Sequence, residues 1–174
     1  ALERRIRYPM IDLALFRNRL FNVNLVTGLM IFICLAGTIV LMPFFLENVL
    51  GYSPRSVGFL LAIVPIAMGV VAPIAGSLSD RFGPRPLIVA GLLMLLAGFF
   101  AVSTLNTETT ALGYVLRFLP IGIGIGTFQS PNNSAVMGAV PRTRLGIASG
   151  LLSVTRTLGQ TAGIAALGAL WASR

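Results

Sequence analysis

Apolar side chains occur in long runs along this chain, and the charged residues fall between the runs. Residues 20–46, 56–79 and 87–105 contain no charged residue, whereas residues 112–138 and 146–171 each contain a single Arg. A helix needs about twenty mostly apolar residues to cross a hydrocarbon core of about 30 Å. The pattern therefore predicts five membrane-spanning helices.

The run lengths also separate helices from barrel strands. Membrane strands are shorter and alternate apolar with polar residues, and neither property applies here. Several prolines, including Pro43, Pro65 and Pro120, fall inside the runs. Helices in lipid tolerate proline as a kink because neighbouring groups bond the freed carbonyls. The predicted fold class is an all-α, polytopic membrane protein, preceded by a juxtamembrane lead-in at residues 1–19.

Composition supports this fold class and indicates which kind of binding partner to expect. Hydrophobic residues make up 56% of the 174 positions and charged residues only 10%, with thirteen basic residues, all of them Arg, against five acidic ones. A net charge of +8 would favour nucleic-acid binding only if the Arg residues clustered on a solvated face. Because they separate apolar runs instead, we expect the lipid bilayer as partner and no nucleic acid.

The positions of the Arg residues predict how the chain is oriented in the membrane. If residues 1–19 are cytoplasmic, nine Arg lie inside, two lie outside and two lie within spans. Such a bias follows the positive-inside rule. The nine inner residues are Arg4, Arg5, Arg7, Arg17, Arg19, Arg81, Arg85, Arg142 and Arg144; Arg55 and Arg174 are the two outer ones.

The residues required for enzyme chemistry are missing. The sequence has no His and a single Cys, Cys34, which excludes a His/Cys metal site, a His-dependent triad and an internal disulfide. Residues 122–126 read Gly-Ile-Gly-Ile-Gly but follow no strand, so close helix packing explains them better than nucleotide binding. We predict no catalytic residue, no metal and no cofactor.

One inner loop carries a distinctive motif. Between spans two and three, Gly76, Asp80, Arg81, Gly83 and Arg85 occur at fixed spacing. This loop resembles the Gly-x-x-x-Asp-Arg-x-Gly-Arg-Arg signature that joins helices two and three in each half of major facilitator superfamily transporters. Pro84 stands where that signature usually has a basic residue. Apart from the resemblance, Gly83 followed by Pro84 predicts a tight reversal between the two helices.

Other segments extend the resemblance over nearly the whole chain. The lead-in, and the stretch from Gly146 to Gly163, are similar to the second half of the fourteen-helix drug:proton antiporters. The resemblance implies that residues 20–174 form five helices of a six-helix half, within a longer protein. It also implies a secondary transporter in the bacterial cytoplasmic membrane that exports small molecules in exchange for protons, working with the N-terminal half of the same polypeptide. A structural or assembly subunit of a membrane complex is the alternative.

The resemblance also suggests which polar residues line a substrate cavity, because the first and fourth helices of each half face it. For any single one of them, a hydrogen bond that holds neighbouring helices together is the preferred interpretation. The candidates are Asn24, Thr27, Thr38, Arg117, Gln129, Asn132 and Asn133.

Two Arg residues lie inside predicted spans. Arg156 is near mid-span, where insertion scales give a cost of roughly 2.5–3.5 kcal/mol, so a functional role is the default hypothesis. We expect it to face the interior or the other half and to bind carbonyls, water or an acid. Arg117 lies nearer the outer end and can also snorkel or pair with Glu108.

Span five carries a repeat of small residues. Gly146 and Gly150 are four residues apart, and so are Gly159 and Gly163, which predicts one small-residue face for close helix approach. Such a face suits either a moving contact between transporter halves or a static packing contact.

Overall fold

The structure is a computed structural model that describes residues 13–172, so residues 1–12 of the predicted lead-in, and residues 173–174, lie outside it. Within the described range the regular elements are helical. A short 3₁₀ turn, Leu13–Arg17, leads into α1, and a second one, Arg142–Arg144, leads into α6. The α-helices are α1 Arg19–Phe44, α2 Pro54–Leu61, α3 Ile63–Phe82, α4 Pro84–Val102, α5 Ala111–Gly138 and α6 Leu145–Ala172.

Four helical segments of residues 13–172 are long and apolar enough to cross a membrane. They are Arg19–Val49, Pro54–Phe82, Pro84–Val102 and Ala111–Gly138, and they coincide with the first four predicted spans. The fifth predicted span is the 28-residue helix α6. Helix α6 is not among the four. Arg156, Gln160 and neighbouring Thr residues interrupt its apolar sequence, so its membrane crossing stays a prediction.

Prolines interrupt two of these segments. Sequence reasoning predicts one continuous helix over residues 56–79, but α2 ends at Leu61 and α3 begins at Ile63. Pro65 accounts for the break, since it has no N–H to donate to the carbonyl of Leu61 and its ring crowds that carbonyl. At the end of α1, Pro43 precedes a π-helical turn, Phe45–Val49.

The described part of the chain divides into two compact units. Unit 1 consists of Ala1–Gly37 and Asn133–Arg174, and unit 2 of Thr38–Asn132. Unit 1 therefore contains most of α1, the end of α5 and all of α6. Unit 2 contains α2, α3, α4 and most of α5.

Glycines bring three helices of unit 2 into backbone contact. A Cβ on Gly122 would lie 2.9 Å from the carbonyl oxygen of Val64 on α3, whereas one on Gly124 would lie 2.9 Å from the backbone nitrogen of Leu95 on α4. Alternate glycines of residues 122–126 thus face opposite neighbours, and α5 packs between α3 and α4. The predicted packing role of this Gly-Ile-Gly-Ile-Gly segment is confirmed.

In unit 1, α6 packs on α1 at Gly159 and Gly163. A small core joins the start of α1 to the end of α5 and the start of α6. A Cβ on Gly163 would lie within 2.8 Å of the Ala36 side chain. Asn18 caps α1 by accepting a hydrogen bond from the Leu20 backbone N–H at 3.0 Å, and its amide donates to the Ala139 carbonyl at 3.1 Å. The buried core consists of Leu15, Phe21, Leu25, Val136, Val140 and Ala148.

Large apolar side chains remain exposed along the spanning helices. Phe100 on α4 is 75% exposed, and Met30 on α1 and Val70 on α3 are also exposed. A soluble domain rarely presents so much contiguous apolar surface. Contact with lipid tails explains it, because the hydrocarbon core solvates these side chains.

The α4–α5 contact makes a testable prediction. In Gly91→Ala the new Cβ would lie 2.7 Å from the Phe128 backbone nitrogen and 2.9 Å from the Gly124 carbonyl oxygen, so the two backbones must separate. We expect the free energy of unfolding to fall by about 1–3 kcal/mol, measured as a lower melting temperature of the full-length protein in detergent. Gly69→Ala, in open space on α3, is the matched control; equal melting temperatures would contradict the packing.

Candidate functional site

The motif loop is a one-residue reversal between two spanning helices. Helix α3 ends at Phe82 and α4 begins at Pro84, leaving Gly83 between them with φ 83° and ψ 160°. The Gly83 N–H donates to the Ser79 carbonyl at 2.8 Å. Glycine alone adopts this backbone conformation without strain, and Pro84 supplies the fixed φ that suits a helix start. The predicted tight reversal is confirmed.

The charged residues of the motif lie at the surface of this turn. Asp80, Arg81 and Arg85 are all exposed, and the Arg81 guanidinium carbon lies 5.5 Å from the centre of the Phe82 ring. The Asp80 carboxylate makes neither a hydrogen bond nor an ion pair with any described residue. A carboxylate in the last turn of a helix is unfavourable next to the helix dipole. Asp80 therefore contributes nothing evident to the stability of this conformation.

Gly76 permits a close approach that sequence reasoning did not assign. A Cβ at Gly76 would lie 3.2 Å from the Ser130 hydroxyl oxygen on α5, so the motif helix passes close to α5 here. Ser79, one turn further along α3, is buried. Nothing in the local sequence marks Ser130 as the neighbour of Gly76, because that contact depends on helix register.

The candidate cavity residues of α1 bond to their own helix. The Asn24 side chain is buried and donates to the Leu20 carbonyl at 2.9 Å, and the Thr27 hydroxyl donates to the Val23 carbonyl at 2.7 Å. Thr38 is half-buried. Asn24 is thus closed off from solvent, whereas Thr27 keeps its oxygen lone pairs for a further contact.

The candidates on α5 differ in exposure. Gln129 is half-buried and Asn133 is exposed, but Asn132 is only 3% exposed. The Asn132 amide oxygen is buried and has no hydrogen-bond partner among the described residues. A polar atom left in this state costs free energy. Adjacent Asn residues therefore have different environments, which their shared residue type does not reveal.

Arg117 makes two hydrogen bonds near the loop between α4 and α5. Its Nε donates to the Thr104 hydroxyl at 3.0 Å and its Nη1 donates to the Gly113 carbonyl at 3.0 Å. The bond to Thr104 joins α5 to the turn after α4, whereas Gly113 lies one turn earlier on α5 itself. No described contact joins Arg117 to Glu108, so hydrogen bonding replaces the ion pair considered from sequence.

Arg156 has a partner that sequence reasoning missed. Its guanidinium carbon lies 5.0 Å from the centre of the Phe32 ring on α1, an arrangement typical of a cation–π contact. The Arg156 side chain is exposed and makes no hydrogen bond or ion pair with a described residue. The expected carbonyl or acid partner is therefore not found within residues 13–172.

The four glycines of α6 do not form one face, so that prediction was wrong. Gly159 and Gly163 are buried against α1, whereas a Cβ on Gly146 or Gly150 would meet open space. The reason is helical geometry: Gly150 and Gly159 are nine residues apart, about two and a half turns, and face opposite sides. The exposed polar and small face consists of Gly146, Ser149, Gly150, Ser153, Thr157 and Thr161.

Comparison with known proteins agrees with this fold. A family model described as Major Facilitator Superfamily matches residues 3–164. The chain belongs to this superfamily, whose members are polytopic helical membrane proteins acting on small molecules. It is accordingly a multi-pass membrane protein.

Bacterial transporters are similar to the chain over nearly its full length. Multidrug resistance protein Stp of Mycobacterium tuberculosis is 37% identical over 99% of the chain, which spans 32% of that relative. Riboflavin transporter RibZ of Clostridioides difficile is 31% identical over 94% of the chain, and multidrug efflux pump LfrA of Mycolicibacterium smegmatis is 29% identical over 97%. The chain spans about a third of the length of these relatives.

The reversal at Gly83 predicts a specific sensitivity. Gly83→Ala forces a side chain into a backbone region that L residues rarely occupy, at a cost of about 1–3 kcal/mol. We expect a lower melting temperature and reduced yield of the full-length protein. Gly58→Ala, at a helical position facing open space, should leave both unchanged; equal behaviour of the two variants would contradict the assigned turn.

Proposed function

We propose that this chain is part of the second half of a secondary transporter that exports small molecules by alternating access in exchange for protons. Its membership of the superfamily, and the names of relatives such as Stp and LfrA, support this function. The observation that carries the proposal is the Gly76–Arg85 segment. It forms a tight reversal with exposed charges in a chain that matches the superfamily over residues 3–164.

The proposed topology has five spans, with residues 1–19 and the loops at Gly83 and Arg142–Arg144 in the cytoplasm of a bacterial cell. The helix directions within each unit, as given by their contacts, support this topology. In unit 2, α4 runs antiparallel to α5, because Gly98 is near Ile121 while Gly91 is near Phe128. In unit 1, α1 and α6 run parallel, as spans one and five must, because Gly159 is near Leu29 while Gly163 is near Ala36.

Transport is favoured over the alternative of an assembly subunit by the charges of the motif loop. A subunit that only packs against partners needs the turn but not an unpaired carboxylate at the end of α3. Neither a catalytic triad nor a nucleotide-binding loop is recognisable in the sequence, so we propose transport powered by ion flow, without enzymatic activity in this chain.

The polar face of α6 is proposed to contact the first half of the same polypeptide. Its Ser and Thr hydroxyls donate to carbonyls of their own helix, as between Ser153 and Ser149 at 3.1 Å and between Thr157 and Ser153 at 3.1 Å. The face therefore presents small groups whose hydrogen-bond donors are already used. Small residues of this kind allow close and shifting contact between helices.

Proteoliposomes containing the full-length transporter test the proposed function. An imposed pH gradient should drive movement of a fluorescent dye such as ethidium, and collapse of the gradient with a protonophore should abolish it. The pH inside the vesicles, recorded with a trapped indicator, should change in the opposite direction to dye movement. Dye movement that is indifferent to the gradient would reject proton coupling, and no movement of any tested dye would reject export.

We propose that the motif loop, with Gly76, Asp80, Arg81, Gly83 and Arg85, gates the conformational cycle of transport. The variant Asp80→Asn separates this gating role from a role in folding. Because the carboxylate is exposed and unbonded in this conformation, its loss should leave yield and melting temperature unchanged while lowering the transport rate about fivefold or more. Glu108→Gln, in the loop at the other end of α4, is the matched control and should transport normally. A parallel fall in folded yield and transport would contradict a gating role.

A further inference from the structure

Arg156 is the one charged residue in the middle of a predicted span among the described residues. It is the twelfth residue of the 28-residue helix α6, and the described part of unit 1 contains no Asp or Glu. A guanidinium in hydrocarbon is costly, so the surface that exposes Arg156 is covered by water, ligand or protein and not by lipid tails.

The surroundings of Arg156 support this placement. On one side of it along the helix circumference lie the exposed hydroxyl residues Ser149, Ser153 and Thr157, with half-buried Gln160 one turn further on. The opposite side of α6 exposes Val154 and Leu158. Helix α6 thus has an apolar face suited to lipid and a separate polar face, and Arg156 lies where the polar face meets α1.

The Phe32 ring determines how the guanidinium is presented. The two groups lie 5.0 Å apart, and Phe32 is itself half-buried on α1. A stacked guanidinium keeps its in-plane N–H donors available, and these match both oxygens of a carboxylate. With no acceptor for them among the described residues, the pair offers a cation and an aromatic surface side by side.

We infer that Arg156 and Phe32 form a recognition site for transported aromatic anions, in which Arg156 binds a substrate carboxylate and Phe32 contacts its ring system. This inference rests on the proposed export function and assigns a substrate class to it. A carboxylate from the first half of the protein would need the guanidinium alone. A planar aromatic acid uses both members of the pair, which is the arrangement observed.

The test compares two planar dyes of opposite charge, carboxyfluorescein and ethidium, in proteoliposomes of the full-length transporter with an imposed pH gradient. Arg156→Gln should raise the KM for carboxyfluorescein about tenfold or more and leave the KM for ethidium unchanged. Arg156→Lys should recover part of the loss, because it restores the charge without the planar fork. Phe32→Leu, which keeps apolar bulk but removes the ring, should raise the KM for carboxyfluorescein by a smaller factor.

Arg55→Gln, an exposed residue at the start of α2, is the control for a general loss of positive charge and should change neither KM. Melting temperatures of all variants verify folding. Equal loss of both dyes in Arg156→Gln would overturn the inference and indicate a fixed acid in the other half as the partner. Ethidium transport with no transport of, or competition by, carboxyfluorescein would also overturn it, whereas failure to move either dye would reject the export function itself.

Discussion

The hydrocarbon core of the bilayer is the constraint on which this structure depends. Backbone groups inside it must bond within the segment, which leaves the helix as the spanning element here. Charged side chains are costly at the same depth, and so the Arg residues collect at helix ends. Arg156 is the exception to this rule, and its guanidinium makes a cation–π contact with the Phe32 ring on α1. A charged residue kept in the membrane despite its free-energy cost is a stronger indication of function than an Arg at a helix end.

Helix association in this environment relies on close packing rather than on burial of apolar surface from water. Gly91, Gly98 and Gly124 allow α4 and α5 to touch at the backbone, and Gly159 and Gly163 do the same for α1 and α6. Side chains such as Phe100 stay exposed because lipid solvates them. Each unit is thereby tightly packed inside while its outer surface remains apolar, a combination suited to a body that moves within a membrane.

Sequence reasoning succeeded where local chemistry decides the outcome. Run length identified four spanning segments, and Gly83 with Pro84 specified the reversal, because both depend on neighbouring residues only. It failed where the outcome depends on helix register, that is, on which residues of two packed helices face each other. The faces of Gly150 and Gly159, the buried amide of Asn132, and the bonds of Arg117 to Thr104 and Gly113 all depend on which helix lies opposite. The break at Ala62 follows from Pro65, which disrupts the preceding helical turn. From the sequence, only a kink is expected there and not the end of a helix.

The central claim is that these helices cross a bilayer alternately, with the Arg-rich turns on the cytoplasmic side. Single cysteines at positions 82 and 143, in an otherwise cysteine-free full-length transporter, test it with a membrane-impermeant maleimide applied to sealed cells. A cysteine at position 108, in the loop between α4 and α5, provides the comparison from the other side. The account predicts labelling at 108 in intact cells, and at 82 and 143 only after permeabilisation. Labelling of either inner position in sealed cells, at the rate seen for 108, would contradict it.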